Sequence, residues 1–152
     1  MPPDAAPPAR RRHRARRLVG WDVKTTIAAT AAALTPTLLL DLLPEWQRSL
    51  RAENKSPGTI DVYLDGARRY LRWCQATERV PMSRASLHTW MGHLFDHGAA
   101  PGTVRTRQLA VKRLTAWLLA TEQLLGDPFV GIKGPCNAKR PSSRSATTNY
   151  AP

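Results

Sequence analysis

A helix-opening signal occurs twice in this chain, and each copy runs to a tryptophan. Ser56-Pro57-Gly58-Thr59-Ile60 leads to Trp73, and Ala100-Pro101-Gly102-Thr103-Val104 leads to Trp117. In both copies the threonine stands 14 residues before the tryptophan. A basic pair follows that threonine, Arg68-Arg69 in one copy and Lys112-Arg113 in the other, and every one of these offsets is 44. Proline at the first helical position loses nothing by lacking an amide hydrogen and presets the backbone angle. Two long helices are therefore required, each with one apolar side and one basic side. Such a pair suits a single extended anionic partner.

The remaining periodicity is also helical. Leu39, Leu42, Leu43, Trp46 and Leu50 share one face of a helix that begins near Leu38 and ends at Asn54. Pro44 falls inside it and should kink the helix or mark its first turn. The helix capped by Ser56 carries Ile60, Leu64, Ala67, Leu71 and Cys74 inward and should reach about Arg79. A third helix, capped by Ser83 or Ser86, shows Leu87, Trp90, Met91, Leu94 and Phe95, with Gly98 as its C-terminal glycine. The fourth opens at Pro101, buries Val104, Val111, Leu114 and Leu118, and stops at Gly126-Asp127-Pro128. Phe129, Val130 and Ile132 read as an apolar strap packing back on the bundle. Trp46, Trp73, Trp90 and Trp117 lie on or beside the apolar faces and are expected in the core. No window alternates with period two, so the fold class is all-α.

Charge divides the chain into three. The net charge is +12, of which residues 1–36 hold +5, residues 37–133 hold +4 and residues 134–152 hold +3. Residues 1–36 read as a basic, Pro/Ala-rich arm, mostly disordered, with a short Ala-rich helix over 25–35. Residues 37–133 form the folded domain and 134–152 a disordered basic tail. This balance points to nucleic acid or an anionic surface rather than a neutral enzyme. Arg10–Arg17 followed by an apolar run imitates a targeting signal, but Asp22 and Lys24 interrupt it and no cleavage site follows. No apolar run reaches the ~18 residues needed for a membrane span. A cytoplasmic protein with reduced Cys74 and Cys136 is expected, Cys74 as a buried thiol.

The outward faces supply the candidate site. The Pro57 helix offers Lys55, Thr59, Tyr63, Arg68, Arg69 and Arg72, diluted by Asp61 and Asp65. The Pro101 helix offers Thr103, Arg105, Thr106, Arg107, Gln108, Lys112 and Arg113. Between Thr103 and Ala120 it has four cations and no acid, so ion pairs along the helix do not account for them. Such residues at a helix N-terminus reach phosphates and base edges. His93 and His97 are spaced to chelate, but no third ligand is placed, and no metal site or cofactor is expected. Neither a nucleophile motif nor a phosphate loop is present, so no catalytic residue is assigned.

These residues resemble the N-terminal core-binding domain of tyrosine recombinases, the phage-integrase type. The likeness runs from Leu38 to Ile132. It rests on the Trp46-Gln47-Arg48-Ser49-Leu50 helix end, the two Pro-Gly-Thr openings, the Arg69-Tyr70-Leu71 run with Trp73, and the Asp127-Pro128-Phe129 closure. The resemblance implies a SAM-like bundle of four helices that forms half of a clamp on duplex DNA. Carried over, the contacts are Lys55, Ser56, Thr59, Tyr63 and Arg69 on one helix. On the other they are Thr103, Arg105, Arg107, Lys112 and Arg113.

The family's chemistry lies in a following catalytic domain, whose tyrosine nucleophile is assisted by arginines, a lysine and histidines. The roughly twenty residues after Ile132 are too few for it. His13-Arg14-Ala15-Arg16 matches the family's His-x-x-Arg only as a string, and Tyr150 stands in the tail without partners. The expectation is a truncated, non-catalytic recombinase fragment whose partners are double-stranded DNA and other recombinase protomers, with no membrane or small-molecule substrate. A frameshifted remnant of a full recombinase and a helical protein-interaction module are the alternatives.

Overall fold

The computed structural model describes residues 23–136, so the Arg10–Arg17 block, the His13–Arg16 string, Tyr150 and the tail beyond Cys136 lie outside the described residues. Five helices follow in order: α1 (Val23–Ala33), α2 (Pro36–Ala52), α3 (Pro57–Ala76), α4 (Arg84–Asp96) and α5 (Pro101–Ala120). There is no strand among the described residues. The four predicted helices are α2 to α5. The core also takes in Ala31 and Leu34, from the end of α1 and the turn after it.

Local chemistry sets the helix starts. Thr35 caps α2 by accepting from the Leu38 amide at 3.3 Å, and Ser56 caps α3 by accepting from the Thr59 amide at 3.3 Å. Proline follows each cap. Pro44 lies in the interior of α2, not its first turn, and the helix runs through it. Its ring is exposed on the solvent side of the helix.

The helix ends differ from the sequence reading. The Ser56 helix stops at Ala76 rather than Arg79, and the Pro101 helix at Ala120 rather than Gly126. Each ends the same way. A threonine, Thr77 or Thr121, donates its hydroxyl to the carbonyl of Trp73 or Trp117, at 2.7 and 2.9 Å. Then a glutamate, Glu78 or Glu122, turns left-handed with φ 53° and 57°. The next amide, of Arg79 or Gln123, bonds back to Cys74 or Leu118 at 2.9 Å. This closure satisfies carbonyls that a longer helix would need. Glu78 and Glu122 are again 44 apart, so the repeated unit is a whole helix with matched start and stop.

That repetition governs how the bundle is packed. α3 is the hub, lying against α5 and α2. The α3–α5 crossing is at Gly66, where an added Cβ would come within 2.7 Å of the Ala110 Cβ. Residues 66 and 110 are also 44 apart, so the two helices cross at equivalent positions. Trp46, Tyr70, Leu71, Trp90, Leu114 and Phe129 fill the core. Trp73 and Trp117, expected in the core, are only half-buried at its edge, because each stands one turn from the helix end where the wall of neighbours gives out. Phe95 likewise faces out, 41% exposed. In the strap, Phe129 and Ile132 are buried. Val130 is turned outward, because an Asx turn, Phe129 amide to Asp127 Oδ1 at 2.7 Å, aims Phe129 inward.

Tyr70 closes the connection to α4 by donating its hydroxyl to the buried Pro81 carbonyl at 2.5 Å. Burial pushes its ionisation far upward and lifts the Cys74 thiol from its ordinary 9.0 to about 11. Both groups hold their protons more tightly when folded. The Cys74 contribution to stability is complete below pH 9 and is lost as pH rises through 11, while that of Tyr70 is complete below pH 10 and falls steadily above it. We expect the melting temperature to fall across this window, and less steeply in Cys74→Ala. Parallel slopes for the two proteins would remove Cys74 from this account.

Candidate nucleic-acid interface

A groove runs between α3 and α5. Asp61, Val62, Asp65 and Gly66 of α3 line the groove, with Gly102, Thr103, Thr106 and Arg107 of α5 opposite. Its volume is about 720 Å³. Both helix openings lie on the same side of the Gly66–Ala110 crossing, and the N-terminal halves of the two helices form the groove walls. Further along α3, Arg68 and Arg72 border α2 with Leu40, Pro44 and Gln47. On the far side of α5, Arg105 lies beside the exit strap, its Nε 3.5 Å from where a Cβ on Gly134 would stand.

The expected residues divide by what already holds them. Lys55, Arg68, Arg105 and Arg113 are exposed and make no ion pair among the described residues. Arg69 is exposed but pairs with Asp65 at 2.8 Å. Ser56 and Thr59 are joined hydroxyl to hydroxyl at 2.8 Å as the α3 cap. Thr103 is exposed, and Thr106 donates to the Gly102 carbonyl at 3.0 Å. Tyr63 is half-buried and stacks on Trp46, ring centres 6.4 Å apart. Arg107 is half-buried, its backbone against Gly66.

Two side chains of α5 serve the strap. Lys112, half-buried, donates to the Ile132 carbonyl at 2.5 Å. Gln108, expected on the outward face, is buried at 3% exposure and donates to the Lys133 carbonyl at 3.2 Å. The repeat contained the signal that would have found this, because Gln108 is the counterpart of the buried Leu64. An amide in a core position needs a partner, and the strap carbonyl provides it. Sequence reading also missed Leu109, which is 41% exposed and stands one turn from both Arg105 and Arg113. Together the three make an Arg-Leu-Arg stripe.

Among the described residues no three His, Cys, Asp or Glu side chains gather as a metal site, and no helix is long and apolar enough to cross a membrane. The His93 and His97 rings lie 4.1 Å apart, tilted by 41°, and the His93 ring lies against Trp73 at 5.9 Å.

The family model described as phage integrase, N-terminal SAM-like domain, matches residues 42–124, more than half of the chain. No curated protein and no solved structure matches. The match runs from within α2 to just past α5 and takes in both openings, so it contains α3 and α5, which build the groove. With an all-helical bundle around them, the chain belongs to the phage integrase N-terminal SAM-like domain family, the kind of domain that serves tyrosine recombinases in binding DNA.

Proposed function

We propose that this chain binds double-stranded DNA by setting the openings of α3 and α5 toward the major groove, and that it supplies no strand-transfer chemistry itself. Phosphates meet Arg68 and Arg72 on α3 and Arg105 and Arg113 on α5. Thr103, Thr106 and Arg107 face the bases between them. Lys55, Ser56 and Thr59 add contacts at the α3 opening, and Arg69 adds one further along the helix. Lys112 and Tyr63 support the interface chiefly from within the fold. The reading is carried by the four cations of α5, which no acid on that helix balances, in a chain of this family. The groups with displaced acidities, Tyr70 and Cys74, are core groups whose ionisation is suppressed, the reverse of an activated nucleophile. Other recombinase protomers on the same DNA are the protein partners this implies.

The test is a salt titration of the full chain on a labelled duplex. Five or six phosphate contacts release counterions, so log affinity should fall against log salt with a slope of about −5. Failure to bind, or binding indifferent to salt, overturns the proposal. Capture of an acidic protein that duplex DNA does not displace would favour the interaction-module reading instead.

A further inference from the structure

The second copy of the repeat departs from the first at one buried position. Leu64 of α3 is an apolar core residue, but its counterpart on α5 is Gln108, which is also buried. A buried amide costs stability unless it is bonded, and the partner of this one is the Lys133 carbonyl at 3.2 Å. The strap meets α5 in a fixed order. The Ile132 carbonyl accepts from Lys112 and the Lys133 carbonyl from Gln108. A Cβ on Gly134 would then stand 3.2 Å from the Gln108 Oε1 and 3.5 Å from the Arg105 Nε. The strap therefore runs back along α5 toward the helix opening and arrives beside Arg105. It brings positive charge with it. Lys133 is exposed, and residues 128–136 contain no acid. Neither Lys133 nor Arg105 makes an ion pair among the described residues. Lys112 adds a third positive charge, which its bond to a carbonyl does not cancel. Like charges gathered this way repel one another in the free protein, and an anion set among them turns that cost into attraction.

Resting on the DNA-binding reading above, we propose that the strap and α5 together build a backbone-phosphate site in which Lys133 joins Arg105, with Gln108 as the positioning residue that fixes the strap there. Packing alone would be served by leucine at position 108, as it is at 64. The amide adds a fixed place for the Lys133 backbone, and so for a cation that belongs to neither helix.

The test follows duplex binding across a salt series for the full chain, Lys133→Ala, Gln108→Leu and the two combined. Lys133→Ala should keep the wild-type melting temperature, because its side chain is exposed. It should weaken binding about fivefold at ~0.1 M salt, equally on unrelated sequences, and lower the log–log slope by about 1. Gln108→Leu keeps every cation but frees the Lys133 carbonyl. It should weaken binding, and Lys133→Ala should then cost less in that background than in wild type. A purely structural Gln108 would change the melting temperature and leave the cost of Lys133→Ala as it was, which overturns the positioning role. If Gln108→Leu does not fold, Lys133→Ala decides the site alone. Wild-type affinity and slope in Lys133→Ala overturn the inference while DNA binding by the arginines stands. If wild type binds no duplex at any salt, the underlying reading falls and takes the inference with it.

Discussion

Replacing Arg105 and Arg113 together by glutamate should weaken duplex binding about a hundredfold at ~0.1 M salt, with the fold unchanged by circular dichroism. Both side chains are exposed and neither makes an ion pair or hydrogen bond among the described residues, so the core loses nothing. Two cations are removed from the phosphates and two repulsive charges are introduced. The log–log salt slope should fall in magnitude by about 2, one unit for each phosphate no longer neutralised. Lys112→Met is the contrasting variant. That lysine is committed to the Ile132 carbonyl, so its loss should first lower the melting temperature by freeing the strap. Binding per folded molecule should change less than for the arginine pair. If the double reversal binds as wild type does, the α5 flank does not face DNA.

The contrast between Arg105 and Lys112 shows how far the sequence could be read. Periodicity and the Pro-Gly-Thr openings were enough for the four main helices, because caps and apolar spacing act within one turn. The same local logic placed the start of α3 at Pro57 and of α5 at Pro101. It failed wherever a distant segment competes for a side chain. Gln108 and Lys112 look like solvated helix residues until the strap, some 20 residues on, lays its carbonyls against them. It also failed at the helix ends, where left-handed glutamates stop the chain without glycine, a termination that composition does not signal. The cations were legible one by one. The groove that Asp61 and Asp65 share with Thr103, Thr106 and Arg107 was not, because it depends on where α3 crosses α5.

The crossing can be tested directly, and Gly66→Leu should destabilise the fold by about 3 kcal/mol. Even a single Cβ at this position would overlap the Ala110 Cβ at 2.7 Å, and the Arg107 Cα lies 3.5 Å away. The obstruction is backbone and a β-carbon, neither of which can rotate aside, so the helices must separate. Gly66→Ala is a milder case, since alanine favours a helix over glycine by about 1 kcal/mol and offsets part of the overlap. The informative variant exchanges the two residues, Gly66→Ala with Ala110→Gly. One Cβ then still fills the crossing, and the propensity terms cancel. The double variant should be nearer to wild type than the sum of its single changes by at least ~1 kcal/mol, read from denaturant midpoints in a double-mutant cycle. Additive losses would mean that the helices do not meet there. The same cycle reaches function, because the crossing sets the separation of the two openings. Gly66→Leu molecules that remain folded should bind duplex more weakly than wild type, although no cation has been touched, and the exchanged pair should bind normally. A leucine variant that binds as well as wild type when folded would show that the openings act independently rather than as a matched pair held at one spacing.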